Sequence, residues 1–225
     1  RSLSCPTMRR TLEPEVMDTP EEADGYDAMD HSEPNRAFVE RRVELGAGGR
    51  VLDIGTGPGH IPLLVCAAIP GTTVVGVDLA RHMLAHAERH RAASPHADRV
   101  SYRLADAKGL DFADGSFYTV CSNTILHHIP DPRPFLAEAW RVLLIRDLSR
   151  PPTPERALEL VGLHAAGETE YQRELFRASL HAAFEPDELR AIAREAGLAG
   201  VELVLDSDRH MSLQCRRKPG AGARR

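Results

Sequence analysis

The sequence predicts an α/β fold, a mostly parallel β-sheet covered by helices on both faces. Short apolar runs predict strands, and they alternate with segments of helical periodicity, which is the pattern of a parallel sheet. The last two apolar runs have no helix between them and therefore predict an antiparallel hairpin. The strand runs lie at 50–54, 73–78, 99–104 and 117–122, the helical segments at 59–69, 80–93 and 131–143, and the closing runs at 201–205 and 210–215.

A glycine-rich turn follows the first predicted strand. That strand carries Asp53 and leads directly into the turn 55–59, and the second strand ends in Asp78. Glycines let the backbone approach a ligand closely, and the helix that begins near His60 points amide groups towards it. A carboxylate after the second strand can accept both hydrogen bonds of a ribose diol. This unit predicts a nucleoside-binding site at the strand ends.

The predicted helix 80–93 has one apolar face and one histidine-rich face. The apolar face should bury Leu79, Met83 and Ala87, which recur every four residues. The histidines also recur every four residues, which admits a two-histidine metal site. No carboxylate or cysteine nearby completes that site, so we expect a solvated face made of His82, His86 and His90.

The predicted helix 131–143 begins at Asp131-Pro132, a capping residue followed by proline at the first helical position. It passes into the next apolar run without a turn residue. A chain that leaves a helix and re-enters the sheet must reverse its direction, which usually takes ~2–6 loop residues. Either the helix ends early or loop residues are absent from the sequence, and we favour the second interpretation.

The segments outside this alternating core have different compositions. Residues 1–34 are acidic and rich in proline, and should form a disordered arm or two short helices laid over a site. The domain proper takes residues 35–215, with a helical insertion at 153–183 and a helix from 186 to 197. The basic tail 216–225 is expected to be unstructured.

Charge and composition narrow the class of partner. The formal net charge of the 225 residues is -5, and no basic stripe follows any element, which argues against nucleic acid. The longest apolar runs fall short of the ~20 residues that span a bilayer, which argues against a membrane partner. The cysteines are scattered without metal-type spacing, which favours a reducing, cytoplasmic setting; they are Cys5, Cys66, Cys121 and Cys215.

Six short motifs occur in order along residues 35–215. They are V-L-D-I-G-T-G-P-G at 51–59, G-V-D-L at 76–79, L-A-D-A at 104–107, D-G-S-F at 114–117, S-N-T-I-L-H-H at 122–128 and F-E-P-D-E-L at 184–189. In this order and spacing the chain resembles the class I S-adenosylmethionine-dependent methyltransferases, in particular those acting on small molecules. The resemblance implies a Rossmann-like, doubly wound, mostly parallel seven-stranded sheet whose last hairpin is antiparallel.

The resemblance also implies a role in binding S-adenosylmethionine for residues at these motifs. Asp53 would reach the ammonium of the methionine part, Asp78 would hold the ribose hydroxyls, and Asp106 would accept a hydrogen bond from the adenine amine. The full implied set is Asp53, Gly55, Thr56, Gly57, Gly59, Asp78, Leu79, Met83, Asp106, Ala107 and Asn123.

His127 and His128 are the candidates for chemistry, because they follow the carboxyl end of the fourth strand, where open α/β sheets bind ligands. An imidazole there can remove a proton from an acceptor hydroxyl or amine. The competing interpretation is that one caps the next turn and the other packs. Methyl transfer often needs no base, since in-line approach in a dry pocket provides much of the acceleration.

The acidic arm and the helical insertion should form the acceptor pocket, since these regions cover the site in proteins that the chain resembles. The acceptor-binding candidates are Tyr26, Met29, His31, Asp147 and Tyr171. Arg146 and Asp147, at the end of the fifth strand, are expected to form a structural ion pair.

The sequence therefore predicts a methyltransferase that moves a methyl group from S-adenosylmethionine to a small-molecule acceptor, leaving S-adenosylhomocysteine. Two alternatives stay open, a protein that binds the cofactor without catalysis and a nicotinamide-dependent oxidoreductase. The sequence does not identify the acceptor atom, and it does not distinguish a monomer from a homodimer.

Overall fold

The computed structural model describes residues 8–13, 18–113, 115–137, 142–198 and 200–215, and seven strands form one sheet at its centre. The predicted strands are found within a few residues of their expected bounds. The strands are β1 (Arg50–Ile54), β2 (Thr73–Asp78), β3 (Val100–Leu104), β4 (Thr119–Asn123), β5 (Val142–Leu148), β6 (Glu202–Leu205) and β7 (His210–Cys215).

The sheet has the order β3-β2-β1-β4-β5-β7-β6. Strands β1 to β5 are parallel, and β7 is antiparallel to both of its neighbours, so the closing hairpin is confirmed. The chain winds outward from β1 in both directions, and the crevice between β1 and β4 is the switch point at which open α/β sheets bind ligands.

Helices flank the sheet and extend over one of its ends. Phe38 of α2 and Val65 of α3 belong to the apolar cluster on one side, whereas Phe135 of α5 and Leu189 of α8 belong to the cluster on the other. The helices are α1 (Pro20–Asp27), α2 (Ser32–Glu44), α3 (His60–Ala68), α4 (Arg81–Ala92), α5 (Arg133–Ala137), α6 (Pro154–His164), α7 (Glu170–Ala182) and α8 (Pro186–Glu195).

Two details of the predicted helices are wrong. The helix predicted at 131–143 ends before Val142, because Val142 already pairs with Thr119 in the sheet. Strand pairing here overrides the helical periodicity of the run, and residues 138–141 lie outside the described part of the chain. Leu79 is 39% exposed rather than buried, because it precedes α4 and faces a cleft at the strand ends.

The acidic arm contributes two helices, as one of its two interpretations expected. Helix α1 begins at a capping box on Thr19, and α2 begins at Ser32 and crosses the expected boundary between residues 34 and 35. The segment 8–13 runs back along the insertion, where the Thr11 amide donates to the His181 carbonyl at 3.0 Å. The insertion itself forms α6 and α7, and the tail 216–225 lies outside the described residues.

Among the described residues, no helix combines the length and the apolar character required to cross a membrane.

Candidate active site

A cleft opens at the carboxyl ends of β1, β2, β3 and β4, where the sequence predicted a nucleoside site. Tyr26 of α1 lines it from the side of the arm, and Ile125 and Ile129 line it from the side of β4. Eight of the predicted cofactor residues line this cleft: Gly55, Gly57, Asp78, Leu79, Met83, Asp106, Ala107 and Asn123.

The Asp78 carboxylate fastens the glycine turn to the end of β2. The amide of Gly57 donates to one carboxylate oxygen at 2.7 Å, and the amide of Ala80 donates to the other at 2.9 Å. Burial raises the pKa of Asp78, against the lowering effect of these amides. Each oxygen keeps a further lone pair, so the carboxylate can still accept hydrogen bonds from a diol.

Position 55, where the turn starts, requires glycine. Gly55 has φ +72°, and a Cβ there would collide with the side chain of Ile125. The amides of Gly55 and Thr56 both donate to the Val77 carbonyl, at 2.8 and 3.0 Å, which ties the turn to β2. The backbone is therefore held open towards the cleft at a point where a side chain would fill it.

Asp53, Thr56 and Gly59 do not line the cleft, although they were predicted to bind the cofactor. Asp53 is 2% exposed, and its two oxygens accept from Thr56 Oγ1 at 2.8 Å and from Cys121 Sγ at 3.1 Å. Burial raises the pKa of Asp53, and Arg42 opposes this. These residues support the turn from below, and the burial of Asp53 keeps its carboxylate out of the cleft.

Two neighbouring residues at the end of β4 show features that suit a ligand. The side-chain oxygen of Asn123 is buried without a hydrogen-bond partner among the described residues, and Asn123 lines the cleft. Thr124 has φ +62°, a backbone conformation that costs free energy in a residue other than glycine and is concentrated at functional sites. No sequence signal pointed to Thr124.

His127 and Asp147 form a buried pair beside the cleft. The Nδ1–H of His127 donates to Asp147 Oδ1 at 2.6 Å, and the His127 amide donates to Asp147 Oδ2 at 3.0 Å. Each residue is 1% exposed. Burial alone would lower the pKa of His127, but Asp147 and Glu13 outweigh it and the pKa is raised. His127 lowers the pKa of Asp147 in turn, against the opposite effect of burial.

The N-terminal segment 8–13 closes the far side of this pair, which the sequence did not indicate. Glu13 Oε2 lies 3.8 Å from His127 Nε2 and 3.3 Å from His128 Nδ1, and Ser179 of α7 donates to the same carboxylate. Arg10 donates to the carbonyl of His127 at 3.0 Å. Both histidines therefore meet this segment, and His128 also lines the cleft.

The remaining acceptor candidates are not gathered into one pocket. The ring of His31 packs against Tyr26 at 4.7 Å between centroids, behind the cleft lining. Met29 is not among the described residues that line the cleft, and Tyr171 is 56% exposed on α7. The expected ion pair of Arg146 with Asp147 is wrong, because neighbouring strand residues point to opposite faces; Arg146 donates to the Pro34 carbonyl at 2.9 Å.

The expectation of a solvated histidine face on α4 is also wrong. Helix α1 covers that face, and it brings carboxylates against the histidines. His82 contacts Asp18 at 3.0 Å, and His86 contacts Asp24 at 2.8 Å and Asp27 at 2.9 Å. These acids lie about sixty residues before the histidines, so no local spacing in the sequence announces the pairing.

Comparisons with known proteins find methyltransferases. A family model described as a methyltransferase domain matches residues 51–144. The ubiquinone/menaquinone biosynthesis C-methyltransferase UbiE of Geotalea uraniireducens is 33% identical over 48% of this chain and 46% of its own length. The 27-O-demethylrifamycin SV methyltransferase of Amycolatopsis mediterranei is 33% identical over 69% of this chain and 56% of its own length.

A solved structure of a putative methyltransferase has a similar fold. The putative methyltransferase from Bacillus halodurans is similar with a TM-score of 0.54 and 26% identity, over 74% of this chain and 70% of that one. The chain spans about half the length of the curated relatives that it matches.

Proposed function

We propose that this chain, which belongs to the S-adenosylmethionine-dependent methyltransferases, moves a methyl group from S-adenosylmethionine to a small-molecule acceptor by in-line displacement. The observation that carries the proposal is the position of the buried His127–Asp147 pair directly beside a cleft suited to a nucleoside. The relatives named above are a C-methyltransferase and a methyltransferase of a rifamycin intermediate, which supports a small organic acceptor.

The residues that line the cleft fit the cofactor. Asp78 would accept hydrogen bonds from the ribose hydroxyls, and Asp106 would accept one from the adenine amine. The unpartnered oxygen of Asn123 would accept a hydrogen bond from the methionine part. When bound, the cofactor would supply a methyl group on a sulfonium: the acceptor atom would bond to the methyl carbon in line as the carbon–sulfur bond breaks, and S-adenosylhomocysteine would leave as a neutral thioether. Tyr26 of α1 lines the cleft from the side of the arm, and closing the cleft over the bound cofactor would exclude water from that approach.

The His127–Asp147 pair would accept the proton that the acceptor loses. Asp147 holds Nδ1–H of His127, which leaves Nε2 as the basic atom and orients the ring. Glu13 now faces Nε2 at 3.8 Å, so an acceptor that reaches His127 would have to displace the segment 8–13 or bind beside it. A base of this kind favours an acceptor hydroxyl or another group that must lose a proton, and His128 would contact the acceptor from the cleft.

The wider setting belongs to the same proposal. We expect a cytoplasmic enzyme that acts on neither nucleic acid nor a membrane, as a monomer or a homodimer. The net charge of -5 supports the first of these exclusions. The cysteines at 66, 121 and 215 are free thiols, which fits a reducing compartment. The methyltransferase relatives favour this activity over a nicotinamide-dependent oxidoreductase.

The test begins with titration calorimetry of S-adenosylhomocysteine against the full chain and against Asp78→Ala. The variant removes the acceptor of the Gly57 and Ala80 amides and of the diol, and should weaken binding about 100-fold, since one hydrogen bond to a charged group is worth ~1.5–3 kcal/mol. Asp111→Ala is the matched control, because that side chain is 98% exposed, and should bind like the wild type. A folded wild-type chain that fails to bind would contradict the proposal.

A further inference from the structure

We propose that Asp27, His60 and His90 form a site for a divalent transition-metal ion of the zinc type, which joins α1 to the nucleoside-binding part of the fold. The three residues come from the end of α1, the start of α3 and the end of α4. Coordination of the ion does not itself rest on the methyl-transfer reaction, because none of the three residues lines the cleft.

The positions of the three side chains suit one ion. His60 Nε2 lies 3.0 Å from Asp27 Oδ1, and His90 Nε2 lies 3.4 Å from Asp27 Oδ2. One ligand atom from each of the three residues lies within 4.8 Å of the others. Ligand atoms around a tetrahedral zinc ion with bonds of about 2.1 Å are roughly 3.4 Å apart. The group is therefore close to the required spacing before any ion arrives.

The tautomer of His90 exposes a lone pair to the Asp27 carboxylate. His90 Nδ1 lies 2.8 Å from the Pro58 carbonyl, which only accepts hydrogen bonds, so Nδ1 carries the proton. In the neutral ring Nε2 then presents its lone pair to Asp27 Oδ2, and two acceptors at 3.4 Å repel each other. A cation between them removes the repulsion. Histidine ligands of metals usually have their other nitrogen fixed by a carbonyl or carboxylate in this way.

His86 orients the Asp27 carboxylate from outside the coordination sphere. Its Nδ1 lies 2.9 Å from Asp27 Oδ2, and because a carboxylate only accepts hydrogen bonds, Nδ1–H donates to it. Its Nε2 contacts Asp24 at 2.8 Å. Residues that bind metal ions are commonly held in place by hydrogen bonds of this kind.

The donor set selects the class of ion. Two imidazole nitrogens and one carboxylate suit zinc and its first-row neighbours, whereas magnesium and calcium prefer oxygen ligands throughout. The side chains of His60 and His90 are 36% and 30% exposed, so an ion has a path from solvent and a water can complete the coordination.

The site lies at the two segments that enclose the cleft. Asp27 follows Tyr26, which lines the cleft, and His60 follows Gly59, the last residue of the glycine turn. An ion bound by both would hold α1 closed over the nucleoside. Binding of the metal and of S-adenosylhomocysteine would then favour each other by the same factor, as linkage requires.

The experiment is a calorimetric titration of Zn²⁺ into the full chain after removal of metals with a chelator. The wild type should bind one equivalent, and Asp27→Asn and His60→Gln should each weaken binding by more than roughly tenfold, since even outer partners of metal ligands are worth that much. His82→Gln is the matched control: it lies on the same face of α4 but pairs with Asp18, and should bind Zn²⁺ like the wild type. Co²⁺ should give the absorption of a four-coordinate site in the wild type and in His82→Gln alone.

Three outcomes would overturn the proposal. The first is a wild type that binds no Zn²⁺. The second is binding that Asp27→Asn and His60→Gln leave unchanged, which would locate the ion elsewhere. The third is equal binding of Mg²⁺ and Zn²⁺, which would exclude the nitrogen ligands. Circular dichroism of each variant separates lost ligation from lost folding.

Discussion

The two sides of the cleft differ in how their residues are brought together. On the nucleoside side, the turn and the acid that holds it are close in sequence: Gly57 and Asp78 lie 21 residues apart in one strand–helix–strand unit. On the acceptor side, Ser179 contacts Glu13 from 166 residues away, and Glu13 lies beside His127. A site of the first kind follows from local spacing, whereas a site of the second kind exists only once the whole fold has formed.

The difference extends to the forces involved. The nucleoside side is fixed by backbone amides on Asp78 and by glycine conformation, which leave the ligand's own contacts free. The acceptor side is held by ionisable side chains, His127 with Asp147 and Glu13. Substitutions on the first side should therefore change cofactor affinity, and substitutions on the second side should change the rate and its dependence on pH.

The largest effect is expected from Asp147→Asn. The amide cannot hold His127 as a base, so kcat should fall by about 10³-fold, within the range of ~10²–10⁴ usual for general acid–base catalysis. The affinity for S-adenosylhomocysteine should stay within twofold of the wild type. Steady-state kinetics with an accepted substrate, together with calorimetry, measures both. His128→Gln is the comparison variant, because His128 lines the cleft outside the pair, and should change KM more than kcat.

Equal loss of kcat in Asp147→Asn and His128→Gln would show that the pair has no special role. An unchanged kcat in both would show that the transfer proceeds without a base.

What the sequence predicted follows the same division. The mostly parallel sheet and its closing antiparallel hairpin follow from patterns within neighbouring elements, and they are confirmed. The glycine turn and Asp78 belong to one such unit and lie together at the strand ends. Partners separated by most of the chain were missed. Glu13 and Ser179, which are 166 residues apart, are an example. A nearer partner was missed as well: Asp147 was expected to pair with its neighbour Arg146, yet it binds His127, 20 residues away, after the adjacent strand β4.

The histidines of α4 show the physical reason most clearly. Their spacing identified a shared face, but the partner of that face is set by where α1 packs. That packing depends on Ala23 against Ala80 and Met83, small apolar contacts that carry no motif. The carboxylates arrive on α1 as a consequence, and charge patterning along the chain alone does not reveal them.

A second prediction concerns Gly55 on the nucleoside side. Gly55→Ala places a methyl group at φ +72° against Ile125, and such strain costs about 1–3 kcal/mol. The affinity for S-adenosylhomocysteine should drop roughly 10- to 100-fold while kcat at saturation changes little. Gly46→Ala is the control. Gly46 has a similar backbone conformation, φ +75°, but open space around its Cβ position, so this variant adds backbone strain without a steric clash. Equal affinity losses in both variants would contradict a specific role for the turn.

The dependence of the rate on pH gives a third, smaller effect. His127 must be neutral to accept a proton, and its pKa is raised above 6.5. The rate should therefore fall about tenfold per pH unit below that raised value and level off above it. Removing Asp147 removes the main charge that raises the pKa, so the break in Asp147→Asn should move to lower pH. A rate that rises towards low pH would contradict the role of His127 as a base.

The smallest expected effect tests whether α1 belongs to the nucleoside side. Thr19→Ala removes the capping box of α1, which costs about 0.5–2 kcal/mol of helix stability. Because Tyr26 of α1 lines the cleft, the affinity for S-adenosylhomocysteine should fall a few-fold. Thr169→Ala removes the same kind of capping box from α7, and should lower thermal stability without changing that affinity. If both variants bind like the wild type, α1 covers the cleft without contributing to binding, and the nucleoside side consists of the strand ends alone.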